Sequence, residues 1–215
     1  HDTARGRNTE HWQSMRRCYF ADIAHLDAQL GRIMDALEAA GRLDNSLILL
    51  LADHGEMLLD HGHRGKGAMH YDACIRVPLI MAGPGVPSDR ETDAIVQLED
   101  IVPTLLDATG TNIPDPPRGG VTLPADTVLE SLPGRSLLPV AQGRTDASGR
   151  DCAYSESYSS INSADPARWA RTVITATHRY TMYPNGGGEQ LFDLRQDPHE
   201  QCNLAGTQAA TNIRR

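Results

Sequence analysis

"LLLADHGEMLLDHGHRGKGAMHYD", Leu49 to Asp72, runs from an apolar stretch into an Asp-His pair, then into a loop with three further histidines and a lysine between two glycines. The residues just before it extend the apolar stretch. "SLILLLA" is a continuous hydrophobic run of strand length, the kind that fills a strand covered on both faces in a parallel α/β sheet. Its shortness and the turn signals in "GRLDNS" favour a strand, Leu47 to Ala52, over a buried helical segment. Open α/β sheets bind ligands beyond the carboxyl ends of their strands, which is where Asp53 and His54 fall. Gly55 lets the backbone turn away at once. A carboxylate facing inward at that point must be paired, hydrogen-bonded or bound to a metal, because burying it alone costs several kcal/mol. An aspartate oxygen and an imidazole nitrogen supply two of the roughly six to eight donors that calcium takes. Read alone, "DHGE" is equally a strand-end turn with a capping aspartate and a surface histidine. Lys66, in "RGKGAM", is a compact cation suited to a sulfate or phosphate oxygen, its glycines leaving room for a bulky oxyanion. The plainer reading is a solvated lysine.

Upstream, Tyr19, Ile23, Leu26, Leu30, Ile33, Met34 and Leu37 recur at intervals of mostly three and four. This predicts a long amphipathic helix from about Met15 to Ala40, stopped by Gly41. Downstream, "IRVPLIMAGPGV" reads as a second buried strand, and "AIVQLEDIVPTLLDATG" as a short strand followed by a helix from about Glu99 to Ala108. That order fits a doubly wound α/β layer. From Thr111 to about Asp146 proline and glycine dominate without a period, which marks a surface connector. Beyond it, "CAYSESYSS", "RWARTVITATHRYTMYP" and "EQLFDLRQDPHEQCNLAG" read as short, partly alternating strands, the last two joined by a tight turn at "NGGGE" into an antiparallel hairpin. The expected fold is therefore α/β: part of a doubly wound layer in residues 1–115, a connector in 116–146, and a small α+β subdomain with antiparallel strands in 147–215.

The bulk numbers exclude more than they assign. Among 215 residues, 28 acidic side chains face 20 basic ones, a formal charge of -8. Nucleic acid and anionic membrane surfaces both require a cationic face, so neither is expected as a partner. No segment approaches the roughly 20 apolar residues of a membrane span. "HDTARGRNTEHW" lacks a methionine start and a signal-peptide core, and leads almost at once into the long helix, as an internal or C-terminal piece of a larger protein would. Cys18, Cys74, Cys152 and Cys202 are widely spaced and form no zinc-ribbon pair.

The segment "NSLILLLADHGEMLLDHGHRGKGAMHYDACIRVPLIMAGPGV", with "YFADIAHLDAQLGRIMDALEAAGRLDN" before it, closely resembles the C-terminal half of type I sulfatases, within the alkaline phosphatase superfamily. "VQLEDIVPTLLDATG", "LPGRSLLP" and "HRYTMYP…EQLFDLRQDPHEQCNLAG" are similar to later segments of that family, in the same order, so the resemblance runs from about Met15 to Gly206. The resemblance implies an alkaline-phosphatase-like layer. It implies Asp53 and His54 as ligands of one divalent cation, usually Ca²⁺, with Mg²⁺ or Mn²⁺ as alternatives. It implies Lys66 as the lysine that binds the sulfate group and stabilises developing charge. His61 matches a position that commonly holds histidine and is a candidate proton donor to the leaving alcohol. A formylglycine nucleophile, made from cysteine or serine in a Cys/Ser-x-Pro/Ala-x-Arg stretch, is implied too; none of the four cysteines begins one, and it is expected in an N-terminal half that also supplies further metal and substrate ligands.

The resemblance thus implies a fragment of a metal-dependent sulfatase acting on a small-molecule or glycan sulfate ester, inactive by itself. Two alternatives stand beside it: a phosphonate monoester or phosphodiester hydrolase of the same superfamily, and a non-catalytic binding protein that keeps the fold. The remaining polar residues of the region have plainer expected roles. His63, His70 and Tyr71 pack or hydrogen-bond the loop or line its pocket, Glu56 orients its neighbours, Arg76 ties a strand end to a carboxylate, and Asp193 and Asp197 begin turns.

Overall fold

The computed structural model describes residues 9–66, 69–111, 133–144, 150–157, 169–184 and 186–208. Helix α1 spans Thr9–Ala39 and ends before Gly41, whose φ of +62° supplies the left-handed residue that closes a helix. Strand β1 is Ile48–Leu51 and β2 is Leu79–Ala82; between them lie the histidine-rich loop and a one-turn helix α2, Asp72–Ile75. Helix α3, Ile101–Thr109, follows a 3₁₀ turn at Leu98–Asp100, and a short α4 covers Leu138–Ala141. The C-terminal unit is an antiparallel sheet in the order β3 (Cys152–Ser157), β4 (Ala170–Thr175), β5 (His178–Tyr183), β6 (Gly188–Asp193). The architecture is α/β with a four-stranded antiparallel C-terminal sheet, and the "NGGGE" turn closes the β5–β6 hairpin with Tyr183 opposite Gly188.

Two local expectations differ. The apolar run Ile48–Leu51 is not covered on both faces: β1 pairs antiparallel with β2, and Leu50, Leu51 and Ile80 are exposed. Helix α1 likewise buries no residue, and Phe20 and Leu26 are 62% and 66% exposed. Leu30, Met34 and Leu37 are half-buried, but the rest of the apolar pattern is not matched by burial among the described residues. "AIVQLED" makes only a single bridge, Ile95 opposite Arg150, because its residues feed the 3₁₀ turn instead. Of the expected connector, residues 116–132 and 145–146 lie outside the described ones. The stretch between them is folded: Leu137 is buried, and its backbone N–H donates to Thr104 Oγ1 at 2.9 Å.

That folded stretch is mounted on Asp100, which is fully buried. Its carboxylate accepts the backbone N–H groups of Gln97 and Arg135, each at 2.8 Å, and a two-pronged contact from Arg150, with Nη2 at 2.6 Å from Oδ1. Thr104 Oγ1 donates to the Asp100 carbonyl at 2.6 Å. The Gln97 side-chain amide completes the cluster by bonding both the N–H and C=O of Tyr154 on β3. One carboxylate therefore joins α3, the 133–137 segment and the start of the C-terminal sheet. Gly134 is required here, since a Cβ would lie 2.0 Å from the Glu99 carbonyl oxygen. Burial pushes the Asp100 pKa up, but Arg150 and the two backbone donors outweigh it and hold the carboxyl below its ordinary value.

Removing one partner of a buried pair leaves the other uncompensated, at about 3–5 kcal/mol. Asp100→Asn and Arg150→Met should each lower unfolding stability in denaturant by that order. Because the folded pKa of Asp100 is depressed, its contribution is complete above the unfolded value near 3.8 and fades as pH falls through the lower folded value. Acid titration of stability should show that loss in the native protein and not in Asp100→Asn; equal acid limbs would exclude it.

Candidate functional site

The end of β1 delivers Asp53 and His54 side by side. The His54 N–H donates to Asp53 Oδ1 at 2.9 Å, and the imidazole Nδ1 lies 2.9 Å from the Gly55 carbonyl. A carbonyl only accepts, so this contact puts an imidazole proton on Nδ1. Nε2 lies 3.4 Å from Asp53 Oδ2. An imidazole oriented by a backbone carbonyl, with a carboxylate oxygen beside its other nitrogen, offers the residue types that a divalent cation takes as ligands. The Asp53 side chain is 86% exposed, so the inward-facing carboxylate expected from sequence is instead open to solvent. No group of three or more metal-binding side chains occurs among the described residues.

The turn after the pair is built on α2. Gly55 N–H donates to the Cys74 carbonyl at 2.7 Å, and a Cβ on Gly55 would lie 2.0 Å from the Ala73 oxygen, which excludes every other residue without backbone movement. Met57, fully buried, anchors the next step, and its N–H donates to the Gly65 carbonyl at 3.2 Å. Between these points Leu58, Leu59 and His61 all have positive φ. Left-handed non-glycine residues each cost of order 1–3 kcal/mol and persist where surrounding contacts over-determine them. Those contacts are visible: Arg16 of α1 donates to the Leu58 carbonyl through Nε at 2.9 Å and Nη2 at 2.7 Å, and Leu59 N–H donates to the His63 carbonyl at 2.8 Å. Lys66 follows Gly65 and is exposed. Gly67, the second glycine of the sequence reading, lies outside the described residues.

The stretch His70–Asp72 docks this loop on the C-terminal sheet. His70 is buried, with Nδ1 at 2.7 Å from Thr172 Oγ1 and Nε2 at 2.9 Å from Ser157 Oγ; Thr172 in turn meets Thr181 Oγ1 at 2.8 Å. Tyr71 stacks on His61 with ring centroids 3.8 Å apart, and its hydroxyl accepts from Gln190 Nε2 at 2.8 Å. The Asp72 N–H donates to Glu200 Oε2 at 2.9 Å. Glu200 also pairs with Arg179, and the Arg179 guanidinium sits over the rings of Tyr71 and Phe192, 5.4 and 5.3 Å from their centroids. Sequence reasoning missed Arg179, Glu200, Thr172 and Thr181. The available signal was weak: polar residues at the inward positions of "RTVITATHRYTMY".

Asp53 and His54 meet, and His61 meets Tyr71, while Lys66 stands exposed at the loop's end. A cleft of about 420 Å³ opens beside His61, lined also by Asp60, Asp72, Arg76, His199 and Glu200; Asp53, His54 and Lys66 do not line it. Arg76 reaches Asp72 at 3.6 Å, and Asp193 and Asp197 accept backbone N–H groups of their own turn. All four cysteines are free, and burial, then the Glu56 charge, pushes the Cys74 thiol up to about 11, which leaves it protonated and inert. A Ser-x-Pro-x-Arg spacing does occur at Ser131–Arg135. Its Gly134 and Arg135 belong to the Asp100 mount, and Ser131 lies outside the described residues.

Against this geometry the relatives are informative. The family model of sulfatases matches residues 1–111, and that of the N-sulphoglucosamine sulphohydrolase C-terminal region matches 60–215. The chain belongs to the sulfatase family. An arylsulfatase of Clostridium perfringens is 30% identical over 197 residues, covering 90% of this chain and 36% of the relative. The chain spans about a third of the length of the curated relatives it matches. Among solved structures, the phosphonate monoester hydrolase of Agrobacterium radiobacter superposes with a TM-score of 0.81 at 29% identity, over 98% of this chain and 41% of that one. A protein solved in complex with its substrate D-glucosamine-2-N,6-O-disulfate superposes with a TM-score of 0.78 at 27% identity, over 94% and 38%. The sulfatase family in general implies a metal ion and a formylglycine.

Burial, helped by the Arg179 charge, lowers the His70 pKa from 6.5 to about 4. The unfolded chain therefore binds a proton between those values that the folded protein does not, and stability rises with pH across the window. Unfolding free energy should fall by up to about 1.4 kcal/mol per unit as pH drops from 6.5 towards 4. His70→Gln should remove that component of the slope; an identical slope in the variant would show that His70 is not its source.

Proposed function

We propose that this chain is the C-terminal part of a sulfuric ester hydrolase, which converts R–O–SO₃⁻ and water to an alcohol, sulfate and a proton. The carrying observation is the Asp53–His54 pair at the end of β1, with the imidazole Nε2 3.4 Å from an aspartate oxygen and Nδ1 held by the Gly55 carbonyl. Asp53 and His54 would hold a divalent cation, Ca²⁺ in this reading, which when bound supplies polarisation of a sulfate oxygen. Lys66 binds the sulfate group through charge-assisted contacts that strengthen as charge builds on its oxygens. His61, beside the cleft, donates a proton to the departing alcohol. The nucleophile, a formylglycine, belongs to a part of the protein outside this sequence. The exposed apolar faces of α1, β1 and β2 support the same reading, because a further layer of the fold would cover them. The boundaries 1–115, 116–146 and 147–215 are part of the proposal.

The substrate we infer is a glycan sulfate ester, supported by the glucosamine disulfate bound to a structural neighbour. A phosphonate monoester or phosphodiester hydrolase is the second reading, favoured by the likeness to the Agrobacterium radiobacter enzyme. Sulfate and phosphonate esters present similar tetrahedral anions to one lysine and one cation, so the residues described here serve both.

In the full-length protein, Asp53→Ala should lower metal content measured by elemental analysis. Lys66→Ala should keep the metal and lose about 10²–10³-fold in kcat/KM on sulfate esters. Parallel assays on sulfate and phosphonate esters decide between the two substrates. Wild-type metal content in Asp53→Ala together with full turnover in Lys66→Ala would overturn the assignment.

A further inference from the structure

We propose that the C-terminal sheet sets the position of the His61–Lys66 loop through the three consecutive residues His70, Tyr71 and Asp72, each bound by a different strand or turn of that unit. His70 is held by Thr172 of β4 and Ser157 of β3. Tyr71 is held by Gln190 of β6 at its hydroxyl and by Arg179 of β5 over its ring. The Asp72 N–H is held by Glu200 in the turn after β6. On the loop side, Tyr71 carries the stacked His61 ring, and Cys74, two residues further on, accepts the N–H of Gly55 next to His54. The clamp therefore touches the loop directly at His61 and, through Cys74, the turn at Gly55.

The chemistry of the clamp suits positioning better than generic packing. Apolar side chains at these places would bury the same area without fixing a register, whereas hydrogen bonds to both imidazole nitrogens and a ring stack fix rotation as well as distance. Thr172 is fully buried, and its hydroxyl joins His70 to Thr181 across the β4–β5 register pair. Replacing threonine by valine there removes the hydroxyl while keeping the shape, and replacing it by serine keeps the hydroxyl. His70 and Thr172 are positioning residues in this assignment: they touch neither substrate nor cation.

The proposal rests on the sulfatase reading for its catalytic consequence but not for its geometry, and the experiment separates the two. In the full-length protein, Thr172→Val should lower kcat on a sulfate ester about tenfold, with metal content unchanged, and Thr172→Ser should restore it to within about twofold. Hydrogen exchange of the His61–Lys66 backbone amides should quicken in Thr172→Val and return in Thr172→Ser. Tyr71→Leu should move the His61 ring proton resonances downfield as the stacked ring is lost. Unchanged exchange in Thr172→Val and unchanged His61 resonances in Tyr71→Leu would overturn the clamp, as would equal losses in the Val and Ser variants. If the wild-type protein hydrolyses no sulfate ester, the sulfatase reading fails, and the exchange and resonance measurements still decide the clamp by themselves.

Discussion

Arg179 places a fixed positive charge on the inner face of a small β-sheet, 1% exposed, and much of the local structure follows from having to accommodate it. A buried guanidinium costs several kcal/mol unless it is compensated. Here Glu200 supplies the opposite charge, and the faces of Tyr71 and Phe192 supply the electron-rich surfaces that arginine favours. No aligned hydrogen bond reaches its nitrogens among the described residues, so charge pairing and ring contact carry the compensation. Once Glu200 is committed to Arg179 with one oxygen, its other oxygen caps the start of α2, which fixes the helix on which the Asp53–His54–Gly55 turn is built. The same cation disfavours a second positive charge nearby and helps to keep His70 neutral, the state in which one ring nitrogen donates and the other accepts.

The two halves of the chain meet opposite demands. The inner face of the C-terminal sheet is polar where a pleated strand would ordinarily bury hydrocarbon: Thr172 bonds Thr181 and His70, and Arg179 meets Glu200 and the Tyr71 ring. The α1–β1–β2 face is apolar where the described surface ought to be polar, with Phe20, Leu26, Ile33 and Ile80 each more than half exposed. The first is a finished interface whose partners are present. The second has the composition of an interface without the partner. A chain spanning about a third of its relatives' length accounts for that asymmetry without any special property of the helix.

What sequence revealed and what it concealed follow the same division. Helix α1, the β1 strand end and the β5–β6 hairpin were legible because each depends on local periodicity or on a turn residue: the three-and-four spacing from Tyr19 to Leu37, the apolar run before Asp53, the glycines after Asn185. That Asp53 and His54 sit at the end of β1 was legible from the apolar run before them, but the exposure of the Asp53 carboxylate was not. Asp100, Arg150, Arg179 and Glu200 were not. Each is a charge whose partner is remote in sequence, 50 residues away for Arg150 and Asp100, and no period announces such a pair. The antiparallel pairing of β1 with β2 was also hidden, since an apolar run states that a strand is to be covered but not which neighbour it adopts.

Exposure of Asp53 and burial of His70 together show where precision is invested. The role proposed for Asp53 requires a carboxylate that an ion can reach; its side chain is 86% exposed and accepts the His54 N–H. The orientation of its partner imidazole cannot be left to solvent, and it is set by the Gly55 carbonyl on a turn that tolerates no side chain at Gly55. That turn is in turn fixed to α2, and α2 to Glu200. Rigidity is thus handed outward from a dry ionic core to the exposed Asp53–His54 pair in three short steps. Loosening the core would cost the pair its geometry before it cost the protein its fold, because local openings of a few contacts need less free energy than global unfolding.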